Sequence, residues 1–134
     1  MQVTKSDVLP LRTEQDIVLA RQAVRKLTAE LTFGLVDQTK MVTAASELAR
    51  NTVTYGGGGT MRWEIGLNGL RKGLRLTFQD KGPGIADLSL ALKDGWTSGG
   101  GLGMGLSGAK RLVNEFEIFS ALGEGTTVAI TRWK

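Results

Sequence analysis

Residues 61–84 read MRWEIGLNGLRKGLRLTFQDKGPG, and their periodicity decides the fold. Met61, Trp63, Ile65 and Leu67 alternate with Arg62 and Glu64, and Leu74, Leu76 and Phe78 alternate with Arg75, Thr77 and Gln79. Two such runs, joined by a turn that begins at Asn68-Gly69 and extends towards Lys72-Gly73, predict paired strands with one apolar face. An apolar sheet face has to be covered by another layer.

The cover lies upstream. Thr13 with Asp16 three residues on is capping-box-like, and Ile17, Ala20, Val24, Leu27 and Leu31 follow at helical steps. Phe33-Gly34 ends that helix, with Gly34 suited to the left-handed terminal position. Asp37 is a plausible cap for a second helix running to about Thr54, with Met41, Ala44, Ala45, Leu48 and Thr52 as its buried stripe. Tyr55 and the run Gly56–Gly59 break it. Residues 7–11 (DVLPL) suit an edge strand, because proline cannot donate to a central ladder. Downstream, a short helix is expected over Leu88–Lys93. A glycine-rich stretch follows from Gly95 to Gly108, with a third helix starting inside it near Met104. The chain then closes with a hairpin, Glu115–Ser120 and Thr126–Trp133, around a turn at 122–125. The expected class is α/β: a two-layer sandwich of helices on a mixed, mostly antiparallel sheet.

With 134 residues, 41% of them hydrophobic and 22% charged, one globular domain spanning 1–134 is expected. The chain has no cysteine and no histidine. Thiolate metal sites, His-dependent triads and an internal phosphohistidine are therefore excluded. The net charge of +4 comes from scattered basic residues, not from a stripe interleaved with aromatics, so no nucleic-acid partner is expected. No run approaches the ~18 apolar residues of a membrane span, and the first residues lack a signal-peptide core. A soluble, cytoplasmic protein is the expectation.

Four constellations are candidates for chemistry. Glu47 and Asn51 are four apart and share one helix face. A carboxylate can take a proton and a carboxamide oxygen can ligate Mg²⁺, although such a pair alone is more simply a solvated helix face. Arg50 stands beside Glu47, to pair with it or to help position phosphate. Asp80 is in phase with Leu74, Leu76 and Phe78, which aims a carboxylate at the apolar side where it needs a partner. A ligand amino group would serve, with Gly82 and Gly84 leaving room for a planar ring; a plain turn capped by Asp80 explains the same residues equally well. In residues 96–106, WTSGGGLGMGL, glycines leave backbone N–H groups free to approach phosphates just before a helix, with Thr97 and Ser98 adding hydroxyls. A flexible surface loop is the competing explanation. The run fits the Rossmann fingerprint poorly, and the Walker pattern is absent. Finally, Gly123-Glu124-Gly125-Thr126 is a hairpin turn that leaves Thr126 in phase with Val128 and Ile130.

The order of these pieces is more specific than any one. ELARN on a helix, DKGPG after a strand, GLGMGL opening a helix and GEGT before the last strand resemble the N, G1, G2 and final-threonine boxes of the GHKL ATPase and kinase superfamily. The resemblance covers the chain from about residue 40. The tracts GGLGMGLSGAKRLVNEFEI, ELARNTVTYGGGG and the preceding helix are similar to the RsbT-type serine/threonine kinases, a branch of anti-sigma regulatory factors. The resemblance implies a Bergerat-type ATP-binding fold with ATP and Mg²⁺ as cofactors. It implies that Glu47 is the catalytic base and that Asn51 ligates Mg²⁺. It implies that Asp80 holds the adenine amino group with support from Thr126, that Gly82 and Gly84 admit the ring, and that Gly101, Gly103 and Gly105 wrap the phosphates as a lid. The implied acceptor is a serine on a STAS-domain antagonist in a partner-switching stress pathway, with a metal-dependent serine phosphatase as the second partner. The same boxes also suit an anti-sigma binding module with secondary kinase activity.

Overall fold

The computed structural model describes residues 1–85, 92 and 102–134, without side-chain detail for 102–104. The elements run β1 (Gln2–Leu11), α1 (Glu14–Glu30), α2 (Leu35–Thr54), β2 (Gly59–Asn68), β3 (Arg71–Asp80), α3 (Leu102–Arg111), β4 (Glu115–Ala121) and β5 (Gly125–Trp133). The strands form one sheet in the order β1-β2-β3-β5-β4, and every pairing among them is antiparallel. The expected Leu88–Lys93 helix, apart from the turn residue Leu92, and Gly101 lie outside the described residues, as do Thr97 and Ser98.

The period-two reading of β2 and β3 holds. Met61, Leu74, Leu76 and Phe78 are buried and join Val128 and Ile130 of β5 beneath the helices. The connecting turn is tighter than expected, since Asn68 already pairs with Arg71 and leaves Gly69 and Leu70 as the two turn residues. Strand β1 lies at the sheet edge, as Pro10 requires, but it begins at Gln2. Its first seven residues are exposed, so they carry no apolar alternation; ladder bonds to β2 alone define that stretch.

Helix α1 opens with the capping box: Thr13 Oγ1 accepts from Asp16 N–H, and the Asp16 carboxylate accepts from Thr13 N–H. Its far end departs from expectation. The left-handed residue is Thr32, at φ 61°, whereas Gly34 is extended and serves as the N-cap of α2. Phe33 N–H reaches Thr28 O and Thr32 N–H reaches Ala29 O, which is the double-bonded Schellman closure. Burial of Phe33 and Leu31 selects this chain path over the one that would place glycine at the left-handed site. Asp37 does not cap α2. It sits in the first turn and pairs with Arg132 of β5, 2.5 Å away. Helix α2 buries Met41, Ala44, Ala45, Leu48 and Thr52 as expected. Helix α3 starts at Leu102, two residues before the expected point.

The sheet face away from the helices is polar. On it Glu64 and Arg75 stand directly opposite each other, with Nε 2.9 Å from Oε1. The hydrogen bond from Arg75 holds the Glu64 carboxyl below its ordinary value of 4.5, with partial burial opposing.

Two consequences are measurable. A β-branched residue in the left-handed region costs on the order of 1 kcal/mol, so Thr32→Gly should stabilise the protein by up to about 1 kcal/mol in urea unfolding. A net loss would mean that the Thr32 hydroxyl contacts outweigh the backbone strain. Because the folded-state value of Glu64 is depressed, its contribution is present above pH 4.5 and is lost as pH falls through the lower folded value. Glu64→Gln should therefore flatten the acid limb of the stability–pH curve there. An unchanged slope would show that the pair does not couple to folding.

Candidate active site

Helix α2 carries the first half of the site. Leu48, Ala49 and Thr52 hold the helix onto the core, which turns Glu47 and Asn51 to its other side. Glu47 is exposed, while Asn51 is half-buried with its Nδ2 closed off from solvent and without a hydrogen-bond partner among the described residues. An unsatisfied buried donor costs about 1–3 kcal/mol, and a phosphate oxygen is a strong acceptor for such a group. Gly105, in the first turns of α3, completes this corner. A β-carbon there would stand 3.0 Å from Asn51 Nδ2, 3.3 Å from its Oδ1 and 3.5 Å from Glu47 Oε2. Both predicted polar side chains therefore converge on one predicted glycine from a separate element. Gly103 is also within α3, one residue inside its start. Arg50 is exposed and makes no ion pair with Glu47 among the described residues.

The path from Asn51 to Asp80 is short. Asn51 O accepts from Tyr55 N–H at 2.9 Å and Gly56 N–H at 3.0 Å, which ends α2. Gly57 and Gly58 then take positive φ and turn the chain into β2. A side chain at Gly56 would overlap the Asp80 carboxylate, so the glycine run brings the end of α2 against the end of β3. Asp80 is half-buried; its Oδ1 accepts from Gly82 N–H at 2.9 Å. The capped-turn reading is thus realised with one oxygen, and Oδ2 has no hydrogen-bond partner among the described residues. Gly82 packs on Gly56, 2.7 Å from the carbonyl oxygen to a built β-carbon, and Gly84 lies against the Ala121 carbonyl at φ 76°. The fold itself therefore needs these two glycines, apart from any ring they admit.

Thr126 pairs with Asp80 in the ladder, so the two share a face. Its Oγ1 lies 2.8 Å from Ser120 Oγ, which also accepts from Ile85 N–H at 2.8 Å and is 3.0 Å from Gly125 O. When Ser120 donates to Gly125 O, Thr126 donates to Ser120 and keeps its lone pairs for a ligand or water. Ser120 and Gly56 escaped the sequence reading. Ser120 had a signal, being in phase with Phe116 and Ile118; Gly56 had none beyond belonging to a glycine run.

Residues 36–134 match the family described as "Histidine kinase-, DNA gyrase B-, and HSP90-like ATPase". The chain belongs to that family. This kinase is 46% identical over 123 residues, 92% of each chain, to "Serine/threonine-protein kinase RsbT" of Bacillus subtilis (strain 168). That kinship places the kinase in the serine/threonine branch and makes it an ATP-binding protein. A solved structure of the RsbU and RsbW domains of a Mycobacterium tuberculosis protein shares its fold, with a TM-score of 0.64 and 22% identity over 98% of the kinase chain. The kinase spans 33% of that longer chain, and the likeness concerns the fold alone.

Two variants test the corner and the hub. Gly105→Ala should displace the Asn51 carboxamide and weaken binding of a fluorescent ATP analogue by tenfold or more, with the thermal midpoint little changed. Full affinity would separate Gly105 from the nucleotide. Ser120→Ala leaves the buried Ile85 N–H without its acceptor and should cost about 1–3 kcal/mol in denaturant unfolding. An unchanged midpoint would remove the hub assignment.

Proposed function

We propose that this chain is a Mg-ATP-dependent serine kinase that phosphorylates a STAS-domain antagonist in a partner-switching stress pathway. It then engages a metal-dependent serine phosphatase as its second partner, in the cytoplasm. The observation that carries this reading is the convergence of Glu47 and Asn51 on Gly105, at the same end of the molecule as Asp80 and Thr126.

In this reading Asp80 Oδ2 accepts the hydrogen bond of the adenine amino group, and Thr126, held by Ser120, supports it. Asn51 and the backbone of α3's first turn, with Gly101, Gly103 and Gly105, hold the phosphate tail. Among the described residues no group of three or more carboxylates, histidines or cysteines forms a metal cage. Asn51, whose carboxamide lies at the Gly105 corner, would be the residue to hold a divalent ion here. When bound, Mg²⁺ supplies charge neutralisation on the transferring phosphoryl group. The serine oxygen of the partner attacks the γ-phosphorus in line; the new O–P bond forms as the bond to the β–γ bridging oxygen breaks, and ADP leaves with that electron pair. Glu47, exposed at the cleft rim, orients the hydroxyl and takes its proton. With no histidine in the chain, an external hydroxyl is the natural acceptor.

Incubation with γ-labelled ATP and a cognate STAS protein should label that protein on serine. Glu47→Ala should slow labelling at least 100-fold, within the range of general-base losses, and change ATP affinity by less than about threefold. Asp80→Asn should abolish ATP binding. A Glu47→Ala protein that labels at the parental rate removes the role assigned to Glu47, and a parent that binds no ATP removes the reading as a whole.

A further inference from the structure

Arg132 occupies an apolar position of the sheet. It is in phase with Val128 and Ile130 on the helix side of β5, and its ladder neighbour is Leu74, all three of them buried. Its side chain is 14% exposed, and its Nε is closed off from solvent with no hydrogen-bond partner among the described residues. Nη2 donates to Asp37 Oδ1 at 2.5 Å, but the Asp37 side chain is 43% exposed, so solvent screens that pair. Nη1 donates to the Leu112 carbonyl at 2.7 Å. A guanidinium held largely out of water with one N–H unsatisfied is a costly way to fill such a position, and an apolar side chain of similar volume often serves stability as well or better. Stability alone therefore does not account for Arg132.

Its two bonds end on the two helices that form the candidate phosphate corner. Leu112 directly follows α3, and its carbonyl is one of those that a helix end leaves without an intrahelical partner. Asp37 lies in the first turn of α2. The cation thus sits at a helix C-terminus and the carboxylate at a helix N-terminus, each the favourable end of a helix dipole. Towards the opposite ends of the same two helices Asn51 meets Gly105, with 3.0 Å from a built β-carbon to Nδ2. Leu106 and Ala109 seat α3 on the core between these two ends. Gly105 precedes Leu112 by about 10 Å of helix, so a tilt of about 6° about the C-terminal end moves Gly105 by about 1 Å. A misplacement of about 1 Å is enough to cost on the order of 10²-fold in rate.

We propose that Arg132 is a positioning residue: by tying the end of α3 to the start of α2, it sets the approach of Gly105 to Asn51 and so the grip on the phosphate tail of ATP. It acts through α3, not by contact with the nucleotide. The guanidinium matters because its two terminal nitrogens reach acceptors on two elements at once from one rigid plane, whereas an ammonium group is a point charge. The proposal rests on the phosphate site assigned above to Asn51 and Gly105. Arg75, ion-paired with Glu64 on the sheet face away from the helices, serves as the control.

The test uses the whole chain, ¹⁵N-labelled, with three readouts: the Gly105 amide and Asn51 carboxamide signals of the nucleotide-free protein, the affinity for a fluorescent ATP analogue, and the thermal midpoint. Arg132→Met should shift both sets of signals and weaken ATP binding by about tenfold or more, while the thermal midpoint stays at or above that of the parent. Arg132→Lys should restore neither the signals nor the affinity. Asp37→Ala, at an exposed position that tolerates the change should Arg132→Met fail to fold, should move the same signals by less and weaken binding about threefold. Arg75→Met should leave signals and affinity at parental values. Parental signals in Arg132→Met or Asp37→Ala, parental affinity in Arg132→Met, full recovery in Arg132→Lys, or a loss of affinity that comes only with a lowered thermal midpoint would each overturn the assignment. The signals are read without nucleotide, so a parent that binds no ATP removes the kinase reading, while the tie between Arg132 and the corner is still decided by the signals.

Discussion

The burial of one stripe of α2 against the sheet constrains everything else in this molecule. Met41, Ala44, Ala45 and Leu48 are each no more than 2% exposed, and with Leu74, Leu76 and Phe78 they form the centre of the core. Burying side chains of this size is worth roughly 1.5–3 kcal/mol each for the larger ones, so the rotation of α2 about its axis is not free to vary. Once that rotation is set, Glu47 and Asn51 are turned towards α3. The helix ends where the Gly56–Gly59 run must carry the chain back into β2.

That return passes the Asp80 carboxylate so closely that Gly56 has no room for a side chain. The contact joins the two halves of the candidate site, the helix face and the strand end, without any direct bond between Asn51 and Asp80. Ser120 plays the corresponding part on the other side, tying Thr126 to Ile85 and so fixing the loop after β3 against the β4–β5 hairpin. The site is therefore a product of chain crossings at one end of the sheet. The polar face is built differently, from ladder register alone, which is why its carboxylates, threonines and ion pair fall into rows.

Much of this was legible in the residues. Alternation in β2 and β3, the capping box at Thr13 and the helical stripe of α2 are local patterns whose physics is local, and each is realised. The pairing of Glu47 with Asn51 on one face follows from four-residue spacing, and the phase of Asp80 and Thr126 follows from period two. The misreadings have a common cause. Gly34 was the better left-handed residue by propensity, yet Thr32 takes that conformation because burying Leu31 and Phe33 outweighs its backbone cost. Asp37 was a fair cap by type, but Arg132, 95 residues away, claims it.

By itself the sequence determined the alternation of strands and helices, their order, which face of each element is apolar, and which polar residues are candidates for a site, because these depend on neighbours within a few positions. Only the tertiary structure decided that Gly105 meets Glu47 and Asn51, that Gly56 exists to admit Asp80, that Ser120 supports Thr126, and that Arg132 joins Asp37 to the end of α3. Ser120 and Thr126 are six residues apart across one hairpin, but the other contacts join separate elements, and no local period encodes which strand lies beside which once the core has closed.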